Sequence, residues 1–219
     1  MATDEARKFL GGLESHLNRS IPGPHVVRQH REQKEGAILD HYIAPQIYSH
    51  LTGYLAMGPE EARRAFLSES QSVRDSGISS GSPKRSRKHP FTKEMGASPQ
   101  RVIQDWRGPS GLVQACPDMA LRSPYKIVIE GKYFRKGGKQ AAETALVTGI
   151  YECFFYRGLV NLPETKRYAA WDYDYACLLA YDATETASLF EAWRGIDESV
   201  KQGFWEGGGI YVMVLRGTG

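Results

Sequence analysis

The chain has 219 residues, of which 41% are hydrophobic and 24% charged, with a net charge of +3. That length suits one domain carrying an insertion better than two independent cores, and the balance is ordinary for a soluble globular protein. No run approaches the length of a membrane span, and the first residues, MATDEARKFLGGLESHL, carry charges where a signal peptide needs an apolar stretch. Cys116, Cys153 and Cys177 are widely spaced and odd in number, which fits buried reduced thiols and neither a disulfide framework nor a zinc pattern. A cytoplasmic location is the expectation.

Taken in order, residues 3 to 18 predict an amphipathic helix, with Phe9, Leu10, Leu13 and Leu17 at helical spacing. Pro22 and Pro24 close it. A longer helical region follows from about Val26 to Leu55, with a break or kink expected at Pro45. Glu35 lies on the same face of that helix as Ile38, Leu39 and Tyr42, the stripe that should meet the core. His30 and His41 show no ligand-pair spacing and are read as solvent or core-edge residues. Residues 59 to 75 predict another helix, entered through Pro59 and two glutamates.

From Ser76 to Ser110 the composition changes to Gly, Ser and Pro with many bases, including the run Lys84, Arg85, Arg87 and Lys88. Such a run is a solvated loop, a nuclear-localisation-like address, or a segment laid along a phosphate backbone. Leu112 to Cys116 predicts a strand, and Lys126 to Phe134 a second, buried one. Because side chains alternate along a strand, Glu130 and Lys132 share a face with Val128, while Ile127 and Ile129 face the other way. A basic turn with Lys136 and Lys139 leads into a helix from Gln140 to Arg157, with Ala141, Ala145, Leu146 and Tyr151 among its apolar members. The order required of a Walker phosphate loop is absent, so an ATPase is not expected. Tyr175 to Tyr181 predicts a central strand buried on both faces. A helix from Ala183 to Gln202, capped by Asp182 and Glu185, is expected to bury Ala187, Phe190, Trp193 and Val200 or their neighbours. Ile210 to Leu215 predicts the last strand. The fold class is therefore mixed α/β, a central mixed sheet flanked by helices.

Chemistry concentrates around Pro117-Asp118 and, eleven residues on, Glu130-Gly131-Lys132. A turn between the two strands would bring Asp118 beside Glu130. Two carboxylates and a lysine are the minimum set for holding a hard dication against a phosphodiester. This pattern, at the end of an apolar strand with a helix after it, resembles the PD-(D/E)XK nuclease superfamily, the restriction-endonuclease-like fold, and within it the type II restriction endonucleases. That resemblance implies a core made of a helix, a three-strand meander bearing the acidic motif, then a helix and a further strand. It covers about residues 26 to 55 and 110 to 215. Only two strands are evident before the Gln140 helix, so an edge strand is expected in residues 96 to 110 or 117 to 125. The whole chain is then one nuclease-like domain, with N-terminal helices to about residue 75 and a basic insertion over about 76 to 110.

The resemblance further implies that Asp118, Glu130 and the main-chain carbonyl of Gly131 hold one or two Mg²⁺ ions, for which Mn²⁺ can substitute. Lys132 would orient or deprotonate the attacking water, or neutralise the pentavalent phosphate. Glu35 is the candidate for an extra ligand from the first core helix. Lys84, Arg85, Arg87, Lys88, Lys136 and Lys139 are candidate contacts to double-stranded DNA, Trp106 and Trp171 candidate stacking residues, and Gln140 a residue near the site. A homodimer is compatible with this reading, and no organic cofactor is expected. The alternatives are a nucleic-acid-binding protein on the same fold without catalysis, a non-specific or structure-specific nuclease, and an interaction domain with a solvated basic loop.

Overall fold

The structure is a computed structural model that describes residues 2–68, 118–159 and 173–218. Its centre is a five-stranded mixed sheet in the order β1 (Phe66–Ser68), β2 (Met119–Leu121), β3 (Ile127–Phe134), β4 (Tyr175–Asp182) and β5 (Ile210–Leu215). The first three strands form an antiparallel meander, and β3, β4 and β5 run parallel. Parallel neighbours require crossovers. The helix α6 (Lys139–Leu159) lies between β3 and β4, and α7 (Ser188–Arg194) and α8 (Glu198–Gly208) lie between β4 and β5. Among the described residues no helix is long and apolar enough to cross a membrane.

Alternation along the strands gives the sheet two cores. Ile127, Ile129, Cys177, Leu179, Tyr181, Met213 and Leu215 face α1 (Ala2–Ser20) and the helices that follow it. Val128, Ala176, Leu178, Ala180, Val212 and Val214 face α6 and α7. Helix α1 inserts Ala6, Leu10, Leu13 and Leu17, one stripe at spacings of four, three and four. The glycine pair Gly11-Gly12 does not interrupt it. In α6, Gly149 sits against β4: a Cβ there would stand 2.5 Å from Leu178 Cδ1, so the missing side chain sets how closely helix and strand approach.

The region from Val26 to Leu55 is not one kinked helix. After the short α2 (Pro24–Arg28) the chain re-enters a helical run at α3 (Glu35–Ile38). A π-helical turn at Leu39–Ile43 follows, then α4 (Ala44–Ser49) and a second π turn at His50–Tyr54. Pro45 lies two residues beyond the first π turn, where its missing N–H leaves the ordinary helical ladder incomplete.

Several boundaries differ from expectation. The helix expected from residue 59 ends at Ala65: α5 spans Pro59–Ala65, and Phe66–Ser68 leaves it as the edge strand β1, paired with Leu121, Ala120 and Met119. The extra strand expected in 96 to 110 or 117 to 125 is β2, an inner strand. The predicted strand Leu112 to Cys116, the interval 96 to 110, and residues 69 to 75 lie outside the described residues. The buried stripe of α6 is Ala142, Leu146, Ile150, Cys153 and Tyr156, whereas Ala141 and Tyr151 are exposed.

The predicted helix Ala183 to Gln202 is two helices broken at Gly195, with Asp197 accepting from Ser199 N to start the second. Phe190 and Val200 point to solvent, and Leu189, Ala192 and Trp205 are buried in their place. Asp182 does cap α7, but from the end of β4. Its carboxylate, 0% exposed, accepts from Leu189 N, Phe190 N, Thr184 N and Thr184 Oγ1 at 2.6–2.9 Å.

Candidate functional site

Strand β3 is eight residues long, but β2 pairs only with Ile127–Ile129. Beyond that point the β2-side edge of β3 presents the N–H groups of Gly131 and Tyr133, because alternate residues of a strand direct their amides to the same edge. Both amides are taken by carboxylates. Asp118 Oδ2 accepts from Gly131 N at 2.8 Å, and Glu35 Oε2 accepts from Tyr133 N at 2.8 Å. Asp118 comes from the residue just before β2, and Glu35 opens α3. Asp118 thus reaches Gly131 from the start of β2, carried there by the antiparallel pairing of Met119 with Ile129. Gly131 is where α3 and its π turn press on the sheet. A Cβ there would overlap Leu39 Cδ1, lie 3.0 Å from Leu39 Cδ2 and stand 3.2 Å from Asp118 Oδ2.

Glu130 and Lys132 point to the opposite face, towards α6, on the Val128 side as alternation requires. Lys132 Nζ donates to Glu130 Oε1 at 2.6 Å and lies 2.8 Å from Glu152 Oε2 on α6. Tyr156, one helical turn after Glu152, donates from its hydroxyl to Glu130 Oε2 at 2.9 Å. Glu130 is only 5% exposed. Burial first, and then the neighbouring Asp118 carboxylate, push its pKa up to about 8 against the pull of Lys132. Burial lowers the Lys132 pKa, but the Glu130 and Glu152 carboxylates, with Glu35 further off, outweigh it and hold the amine charged. Tyr156 is pushed far above an ordinary tyrosine by burial and by Glu130, so its hydroxyl stays a donor.

Four of the singled-out residues therefore meet along four positions of β3, 130 to 133: Glu35 and Asp118 on its open edge, Glu130 and Lys132 against α6. Gly131 lies between, and its carbonyl faces the same edge as its N–H. Glu152 and Tyr156 went unnoticed in the sequence. The available signal is an acidic residue inside the apolar turn YECFFY, at i,i+4 spacing from a tyrosine on one helix face. Lys136 and Lys139 stand exposed past the end of β3, with Lys139 Nζ 3.8 Å from Glu143 Oε1. Gln140 is exposed in the first turn of α6. Lys84, Arg85, Arg87, Lys88, Trp106 and Trp171 lie outside the described residues. His30 and His41 sit ring to ring, their centroids 4.7 Å apart, beside Tyr42 at the core edge.

Among the described residues no group of three or more His, Cys, Asp or Glu side chains is gathered closely enough to hold a metal ion by itself. The donors present are nonetheless suited in kind to Mg²⁺. That ion binds oxygen, keeps several waters and is held by one or two carboxylates rather than by an all-protein cage. Compared with protein-family models, curated proteins and solved structures, the chain matches none.

Proposed function

We propose that the protein is a Mg²⁺-dependent endonuclease of the restriction-endonuclease-like fold, acting on double-stranded DNA. The observation that carries this is Asp118, just before β2, bonded to the Glu130-Gly131-Lys132 stretch at Gly131 N. It is supported by the element order, a helical region, an antiparallel meander, a crossover helix and a parallel strand, which is the order the sequence resemblance implies.

Asp118, Glu130 and the Gly131 carbonyl would hold the dication, with Glu35 at the same edge as the optional further ligand. A dication there supplies Lewis acidity and a bound water of lowered pKa. The chain's own residues do the rest. Lys132, kept charged by Glu130 and Glu152, presents a fixed ammonium for the charge that develops on a phosphoryl group. Tyr156 fixes the orientation of the Glu130 carboxylate from behind. Lys136 and Lys139, exposed past the end of β3, would meet backbone phosphates and position the duplex without reading sequence. Cutting at a specific sequence, as type II restriction enzymes do, is the preferred form of this activity.

A second reading has its own observation. Asp118 and Glu35 cap backbone amides, and both oxygens of Glu130 are engaged, so the cluster also works as a purely structural joint. On that reading the protein binds nucleic acid without cutting it. Incubation of mixed plasmid and linear DNA with Mg²⁺ separates the two, comparing the parent with Asp118→Ala, Glu130→Ala and Lys132→Ala. Cleavage by the parent that each substitution abolishes is the expected result. Cleavage surviving all three, or a parent that binds DNA salt-sensitively and never cuts, rejects the hydrolytic site.

A further inference from the structure

Where β4 and β5 end, a cleft of about 500 Å³ opens between residues 23–26, Arg28, Glu185, Arg216 and Gly217. Ligands of open α/β sheets sit outside the carboxyl ends of the strands, which is where this cleft lies. Arg216 directly follows β5, and Asp182, the last residue of β4, stands behind it. Asp182 Oδ2 already accepts from Leu189 N and Phe190 N, so Arg216 Nη1 remains 3.8 Å away. That inner nitrogen is buried and has no hydrogen-bond partner among the described residues. The outer one, Nη2, donates to the Glu185 carbonyl oxygen at 3.2 Å. The next residues tie this corner down. Gly217 adopts φ +71°, a Cβ there would overlap Pro22 O, and Thr218 N donates to Ile21 O at 3.2 Å.

Arg28 on α2 reaches the same place, its Nη1 donating to Glu185 Oε1 at 2.8 Å. Two guanidiniums therefore converge on one residue, one at its side chain and the other at its backbone carbonyl. Each carries five N–H donors, and among the described residues each side chain makes one hydrogen bond. Glu185 is a weak occupant, because its side chain is 80% exposed and an exposed ion pair contributes little. Its carboxylate also serves only one fork, leaving Arg216 without an anionic oxygen on the cleft side. A planar carboxylate matches one guanidinium, whereas a tetrahedral phosphate has oxygens enough to bridge two.

We propose that Arg28 and Arg216 form an oxyanion site for a dianionic phosphate group, which displaces the Glu185 carboxylate into solvent. The group is either the free ion or the terminal phosphate of a nucleotide strand. The site lies off the ends of β4 and β5, apart from Asp118 and Glu35 on the edge of β3, and does not depend on the nuclease reading.

The test is calorimetric titration of the full chain with sodium phosphate in metal-free buffer, with chloride holding the ionic strength constant. It is run at about pH 7.5, where a phosphate monoester is dianionic. One ion per chain is expected. Glu185→Gln, at an exposed position, removes the competing charge and is expected to tighten binding about threefold. Arg28→Ala is expected to weaken it about tenfold, and Arg216→Lys, which keeps a cation beside Asp182 but loses the fork, about fivefold. Acetate is expected to bind at least about tenfold more weakly than phosphate. A thymidine dinucleotide with a 5′-phosphate, compared with the same dinucleotide lacking it, identifies the source. Tighter binding than the free ion, lost with the 5′-phosphate, assigns the site to a strand end; binding of the free ion alone assigns it to phosphate itself. No phosphate binding by either the parent or Glu185→Gln, binding indifferent to Arg28→Ala, or acetate bound as tightly as phosphate each overturns the site.

Discussion

Replacing Glu130 with glutamine keeps the shape of the side chain and removes its titration. In the native protein that carboxyl is pushed up to about 8, whereas in the unfolded chain it returns to about 4.5. Between those values the folded state holds more protons than the unfolded one, so the Glu130 contribution to stability falls as pH rises and is fully lost above about 8. The slope is about 1.4 kcal/mol per pH unit while the native group stays protonated and the unfolded one does not. Across about pH 5.5 to 8 that amounts to roughly 3 kcal/mol, the pull of Lys132 being already contained in the native value. Lys132 adds no slope of its own there, because its displaced titration lies above that window. Its ammonium keeps Glu152 as partner in the variant. Urea unfolding in chelator at several pH values is therefore expected to show parent and Glu130→Gln nearly equal at the acid end, with the variant ahead at the alkaline end. Parallel profiles would mean that Glu130 does not titrate in this range, and the account of its surroundings would be wrong.

Three further outcomes follow from the same geometry. Gly131→Ala would drive a methyl into buried Leu39 and against Asp118, costing about 1–3 kcal/mol; Leu39→Ala in the same chain should recover part of that loss, and strict additivity in urea would refute the contact. Asp182→Ala strips the acceptor from two amides at the start of α7 and leaves Arg216, 3.8 Å away, without its buried counter-ion. The expected cost is about 3–5 kcal/mol, with fast hydrogen exchange at Leu189 and Phe190. His50, which burial and His16 lower to about 4, remains neutral in the folded chain while it charges in the unfolded one at about 6.5. Stability is therefore full above about pH 6.5 and is lost as pH falls towards 4, by on the order of 1–3 kcal/mol. His50→Leu should flatten that acid limb in metal-free buffer, and an unchanged limb would assign it elsewhere.

What the sequence made legible is what local pattern encodes. The apolar runs of β3, β4 and β5 announce themselves because parallel strands are buried on both faces. The alternation that puts Glu130 with Lys132, and against Ile129, follows from strand geometry alone. Three residues cannot carry a period, so β1 at Phe66–Ser68 looks like the tail of α5 until β2, more than fifty residues later, supplies its partner. The break at Gly195 was hidden by helix-compatible residues on both sides, and the new start depends on one Asp197–Ser199 cap. In α6 the sequence offers two tyrosines five residues apart, Tyr151 and Tyr156, and only the position of the sheet selects the second for burial. The partnership of Glu152 and Tyr156 with β3 is tertiary and leaves only the faint mark of an acid among aromatics.

The two readings of the β3 cluster part over charge balance. A carboxylate that only caps an amide needs no cation, and Glu35 at Tyr133 N fits that role well. A purely structural joint would also be expected to match each buried carboxylate with a donor of opposite charge, since an uncompensated one is costly. Here Glu130 and Glu152 share the ammonium of Lys132, and burial first, then the Asp118 carboxylate, push Glu130 to about 8. Protonation is one way to relieve that excess. A dication is the other, and it would expel the proton from Glu130 on binding, so its affinity should climb with pH up to about 8. That competition between proton and metal separates the two readings: Mg²⁺-dependent protection against urea, measured on either side of neutrality, should grow with pH on the hydrolytic reading and be absent on the structural one.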